Sequence, residues 1–297
     1  MSKKADGENV LYHYVQKNML VEGDESSKVL VKRLITDLSI WLLIDLYKKC
    51  PILLPYVIRD PTCRQNSKGR EEAWGSPDEK GFFRDDNTLI KAIPRSFPIK
   101  SGIIPSYRNK KMGKGFVASH IWRKLQGVDL TASEYYKTYS FVPNLVWLPK
   151  QISKLTDRED SFAQRYLQFL SFRIYGSEDI HPKIKELWKF FEIPSEFKME
   201  EIDLARINFF RVTEDHIAKR IYALVRAISM IRNAENLDPT RIKLHCSRYL
   251  TGLKSMPKSE LNELHAWLDE FLGILEAEGK AEINRRIGRA VLYKANR

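Results

Sequence analysis

Two polar side chains carry most of the chemistry this sequence offers. His120 closes the short apolar run Phe116-Val117-Ala118-Ser119-His120, and Asn144 opens a second run, Leu145 to Leu148. An imidazole with an ordinary pKa of about 6.5 accepts a proton from water near neutral pH, which is what hydrolysis of a phosphodiester requires. The departing oxygen gathers negative charge, and a divalent ion such as Mg2+ or Mn2+ on oxygen ligands offsets it. The Asn144 carbonyl is a ligand of that kind. His120 is therefore the candidate general base, and Asn144 a candidate oxygen ligand for the metal.

The elements that must position them follow from the flanking residues. Phe116 to His120 reads as a strand, Leu145 to Leu148 as a buried strand, and Pro149 ends it ahead of a polar helical start, Lys150-Gln151-Ile152-Ser153. The order is strand, loop, strand, helix, with the histidine at the first turn. Singly, a strand-end histidine is a common structural residue and an asparagine after proline a common turn residue. The order of all four parts is what separates this stretch from that reading.

From Lys114 to Asp157 this layout resembles the ββα-metal (His-Me finger, HNH-type) nuclease core. The resemblance implies that His120 activates water and that Asn144 orders the site or binds Mg2+ or Mn2+. It implies a further metal ligand just before the histidine, where this chain has Ser119 rather than the usual carboxylate. It also implies one from the helix after the second strand, where Gln151, Ser153 and Asp157 fall; Gln151 ranks second to Asn144. As an expectation of function, the resemblance implies a metal-dependent, site-specific endodeoxyribonuclease of the type II restriction kind. Such an enzyme leaves a 5′ phosphate and a 3′ hydroxyl, and cutting both strands of a palindrome suits a homodimer.

Charge points the same way. The chain carries 50 Lys and Arg against 38 Asp and Glu, net +12, and from Asn87 to Lys124 no acidic residue occurs. Within and beside that run, Arg108, Lys110, Lys111, Lys114, Arg123, Lys124 and Lys150 are the candidate nucleic-acid contacts, with Phe97, Tyr107 and Trp122 interleaved. Phosphate neutralisation with counterion release gives such a run its affinity for a polyanion, so double-stranded DNA is the expected partner. A solvated basic face is the alternative. An anionic membrane fits less well, because Pro94, Pro98, Gly102 and Pro105 keep these residues off one helix.

The fold class expected is α+β, mostly helical. A small ββα core in residues 61–175 follows an N-terminal helical segment, 1–60, and precedes a C-terminal helical unit, 176–297. One buried helix is expected from Ser27 to Lys49. Its charges recur too often for a membrane span. Residues 60–105, rich in Pro, Gly, Asn and charge, read as long loops with a few short strands. Helical stripes follow at Phe162, Tyr166, Phe169, Leu170 and Ile174, and again at Ile217, Ile221, Leu224, Ile228 and Ile231.

Three cysteines, Cys50, Cys63 and Cys246, make no disulfide framework, and the polar start MSKKADGENV lacks an export signal, so a cytoplasmic protein is expected. No Gly-rich phosphate loop and no GxSxG elbow occurs. Three other readings remain. One is a non-catalytic nucleic-acid-binding protein with a degenerate nuclease core, and another is an RNA-directed nuclease. The third is a nuclease built on Asp85, Asp86 and Lys91.

Overall fold

The computed structural model describes residues 25–60, 83–198, 203–232 and 257–295. The expected loop from Arg64 to Lys80, together with Cys63 and Cys246, lies outside them. The fold is α+β, and its centre is a five-stranded sheet in the order β4 (Ile99–Lys100), β9 (Asn208–Phe210), β1 (Ile40–Trp41), β8 (Leu145–Pro149), β5 (Phe116–His120). β8 (Leu145–Pro149) runs through the middle with Leu145, Val146, Trp147 and Leu148 completely buried. Both faces of that strand are covered, which is why its sequence is continuously apolar rather than alternating. β5 (Phe116–His120) pairs with it antiparallel along its whole length, from Phe116 opposite Pro149 to His120 opposite Leu145. Helix α4 (Lys150–Thr156) starts directly after Pro149 and packs against both strands.

The single helix expected from Ser27 to Lys49 is instead three elements. α1 (Glu25–Leu38) ends at Ser39, and β1 (Ile40–Trp41) follows, paired with both β8 and β9. α2 (Ile44–Lys49) completes the stretch. Ser39 diverts the chain: its hydroxyl donates to the Thr36 carbonyl and accepts from Trp41 Nε1 at 2.8 Å, local bonds that compete with a continuing helix. Ile40, Trp41 and Leu42 are then fully buried in the sheet layer. A short apolar run of this kind reads equally well as helix or strand from periodicity.

The divisions expected at residues 60/61 and 175/176 do not separate packed units. β9 (Asn208–Phe210), inside the stretch expected to be helical, lies between β4 (Ile99–Lys100) and β1. Asn208 ties it to the end of α1, donating from Nδ2 to the Asp37 carbonyl at 2.7 Å and the Ser39 carbonyl at 3.0 Å. One apolar core runs from Val31 to Leu275 through all three segments.

The predicted stripes are packing faces. Tyr166, Phe169, Leu170 and Ile174 are buried on α5 (Phe162–Tyr175), and Ile217, Ile221, Leu224, Ile228 and Ile231 on α7 (Glu214–Arg232). Between α5 and α7 lies the single turn α6 (Pro182–Lys185), and α7 packs against α8 (Lys258–Ala295). Among the described residues no helix is long and apolar enough to cross a membrane.

Two small sheets flank the β5 edge. β2 (Val57–Arg59) pairs in parallel with β3 (Phe83–Asp85), and α3 (Thr88–Ala92) follows β3 closely. The hairpin β6 (Lys124–Leu125) to β7 (Val128–Thr131) turns at Gly127, whose φ of 73° suits a residue without a Cβ.

Candidate functional site

The loop from β5 to β8 is held from within by Asn144. Its Oδ1 accepts the backbone N–H groups of Ile121 at 3.1 Å and Trp122 at 3.0 Å, while Nδ2 donates to the Thr138 carbonyl at 3.0 Å. Gln164 adds a bond from Nε2 to the Ile121 carbonyl at 3.2 Å. Asn144 is fully buried, and both lone-pair positions of its carbonyl oxygen are taken. The metal-ligand role expected of it is therefore corrected: Asn144 braces the turn that leaves His120.

His120 sits at the end of β5, half-buried, with its Nε2 2.8 Å from the carbonyl oxygen of Tyr139. A carbonyl only accepts, so Nε2 carries the proton and Nδ1 keeps a free lone pair. Among the described residues Nδ1 has no partner, and it is shielded from bulk water. Burial pushes the imidazole down to about 3; the Tyr139 carbonyl opposes that shift and the Arg59 charge adds to it. The ring is thus neutral at neutral pH.

Tyr139 links this histidine to the β3–α3 corner. Its ring lies 5.2 Å from that of His120, its hydroxyl donates to Asp85 Oδ2 at 2.6 Å, and the same hydroxyl faces the backbone N–H of Asn87. Asp85 also accepts from the N–H groups of Thr88 at 3.1 Å and Leu89 at 2.9 Å. Burial raises its pKa against those bonds. Asp85 is buried and committed as a strut, so the expected pairing of Asp85 and Asp86 as a catalytic couple loses its first member.

A cleft of about 1100 Å³ opens over this corner. Ser119, His120, Arg123, Lys124 and Lys150 line it, together with Ser153 and Asp157. Arg59, Asn87 and Lys91 also line it, brought in by β2 and the start of α3. Arg108, Lys110, Lys111 and Lys114 do not. Bridges from Ile99 to Arg108 and from Pro98 to Lys111 put that loop on the β4 edge, across the sheet from β5.

The basic run is therefore divided between two edges, because its chain crosses the sheet between Lys100 and Phe116. In the cleft, Arg123 pairs with Asp157 at 2.9 Å, and Lys124 with Glu159 at 3.1 Å and Asp160 at 3.5 Å. Arg59 lies 3.5 Å from Asp86. Lys91 and Lys150 form no ion pair among the described residues.

The expected metal ligands do not assemble into a cage. Asn144 is saturated, and Gln151 is exposed on α4 away from the cleft. Ser119 alone of the three faces it. Ser153 donates to the Lys150 carbonyl at 2.8 Å. Among the described residues no group of three or more His, Cys, Asp or Glu is placed to hold an ion.

Arg59 and Asn87 were not legible in the sequence as site residues. Arg59 lies far from His120 along the chain, among ordinary charges. Asn87 gave one signal: it follows two aspartates ahead of a helix, and its φ of 61° is a left-handed conformation that asparagine tolerates. Comparison of the chain with family models, curated proteins and solved structures gave no match.

Proposed function

We propose that the protein is an endonuclease that hydrolyses double-stranded DNA in the cleft beside His120. The observation that carries this reading is the placement of that histidine: its tautomer is set by the Tyr139 carbonyl, its Nδ1 has no partner among the described residues, and it lines a cleft with Arg59, Lys91 and Lys150. The succession β5, loop, β8, α4, with the loop braced by Asn144, supports the likeness to the ββα nuclease layout.

In this reading His120 Nδ1 takes a proton from water as the water oxygen bonds to phosphorus. The P–O3′ bond breaks and the 3′ oxygen leaves, taking a proton from solvent, which gives a 5′ phosphate and a 3′ hydroxyl. Arg59, Lys91 and Lys150 face the phosphate and offset the charge that builds on it. Of Asn144, Gln151 and Ser119 only Ser119 lines the cleft, and a divalent ion such as Mg2+ or Mn2+, if bound, would supply further charge neutralisation. Site-specific cutting by a homodimer, as in restriction enzymes, is the form of the reading that the resemblance favours.

Incubation with unmethylated phage DNA and Mg2+, Mn2+ or EDTA tests it. Discrete fragments that need the metal are the expected result; a smear would remove sequence specificity and leave the nuclease. Intact DNA in all lanes, with a retained gel shift, would favour a binding protein with a degenerate core. That second reading draws on one observation, Ser119 in place of a carboxylate with no ligand cage around it among the described residues.

A further inference from the structure

Asn87 is the feature of the cleft that the mechanism above leaves unused. Its backbone is in the left-handed region, φ 61° and ψ 10°, where a residue with a Cβ is held only at a cost in energy. Its Nδ2 lies 3.5 Å from the Ala118 carbonyl, which turns the carboxamide against β5 two residues before His120. Its Oδ1 is shielded from bulk water and, among the described residues, accepts no hydrogen bond. His120 Nδ1 is in the same state.

Asn87 and His120 both line the cleft, and each carries one shielded acceptor that has no donor among the described residues. Leaving a buried acceptor unpaired costs about 1–3 kcal/mol, and such atoms in a native fold call for an explanation. Both are fixed by the same tyrosine, whose carbonyl holds the imidazole and whose hydroxyl faces the Asn87 backbone N–H. Neither atom can satisfy the other, since both accept. A molecule that donates two protons satisfies both.

We propose that Asn87 Oδ1 is the second acceptor for the water that His120 Nδ1 deprotonates, so that the pair fixes the direction in which the water oxygen meets phosphorus. The inference rests on the nuclease reading of this cleft. One O–H of the water points at Nδ1 and passes its proton there as the P–O bond forms. The other O–H stays on Oδ1, and an oxygen lone pair is left facing phosphorus. Asn87 gains and loses no proton; it orients the nucleophile.

The test uses the full chain and a DNA substrate that the wild-type protein cuts, with cleavage rate, KM and melting temperature measured for three proteins. Asn87→Gly keeps the left-handed backbone and the N–H to Tyr139 while removing Oδ1. It is expected to lower kcat by roughly 10- to 100-fold with KM and melting temperature unchanged. Asn87→Asp restores an oxygen acceptor in a residue that also tolerates this backbone. It is expected to recover kcat toward the wild-type value while raising KM, because the added negative charge faces phosphate. A wild-type kcat in Asn87→Gly, alongside a dead His120→Ala, overturns the role of Asn87 and leaves the nuclease standing. A fall in melting temperature in Asn87→Gly without rescue by Asn87→Asp marks the residue as structural and overturns it as well. No cleavage by the wild-type protein overturns the nuclease reading and this inference with it.

Discussion

A histidine can act as a base only through a ring nitrogen that is unprotonated, and in this chain a single carbonyl sets which nitrogen that is. The Tyr139 oxygen holds the proton on Nε2, and burial keeps the ring neutral. The position of His120 at a strand end was legible from the apolar run before it; the tyrosine that sets its tautomer was not, because that contact is made by a backbone atom any residue would supply. The pH dependence follows. With its folded pKa near 3 and an unfolded value of about 6.5, His120 takes up its proton first in the unfolded chain. Its contribution to stability is full above pH 6.5 and is lost as pH falls from there toward 3. Denaturant melts at pH 7.5 and 4.5 should show the wild-type protein losing more stability on acidification than His120→Gln, and equal losses would contradict the buried neutral imidazole. Asn144 gives a second prediction. Asn144→Ala strands two buried N–H groups and a carbonyl, and should cost roughly 2–4 kcal/mol in chemical denaturation. An unchanged midpoint would show that the brace is unimportant.

The elements differ in how plainly the sequence announces them. β8 and α4 were legible because a strand buried on both faces, a proline and a polar start leave few alternatives. The helical stripes on α5 and α7 were legible from their period. β1 and β9 were not, since each is too short to show alternation and gains its pairing from partners remote in the chain. The same remoteness decides which cations act together. The run from Arg108 to Lys124 looks continuous in sequence, yet the sheet places its first part at the β4 edge and its last part at β5. DNA affinity measured against salt should therefore lose about one unit of slope in Lys150→Ala and in Lys91→Ala, and stay at the wild-type slope in Lys110→Ala. The reverse order would place the nucleic acid on the other edge.

At the scale of the molecule, one core and one sheet draw on segments that the sequence divides into three. The strand carrying His120 pairs with β8, β8 with β1, and β1 with β9, so the site is held by residues from both halves of the chain. The two sides of the cleft are β5 with α4 and β2 with the start of α3. The account stands on His120 being the base that cuts DNA there, and the most direct measurement is a paired assay of the wild-type protein and His120→Ala for cleavage and for binding of the same DNA. The account predicts that cleavage disappears in the variant while the gel shift keeps its midpoint. Equal cleavage by both proteins, or cleavage by neither, would contradict it.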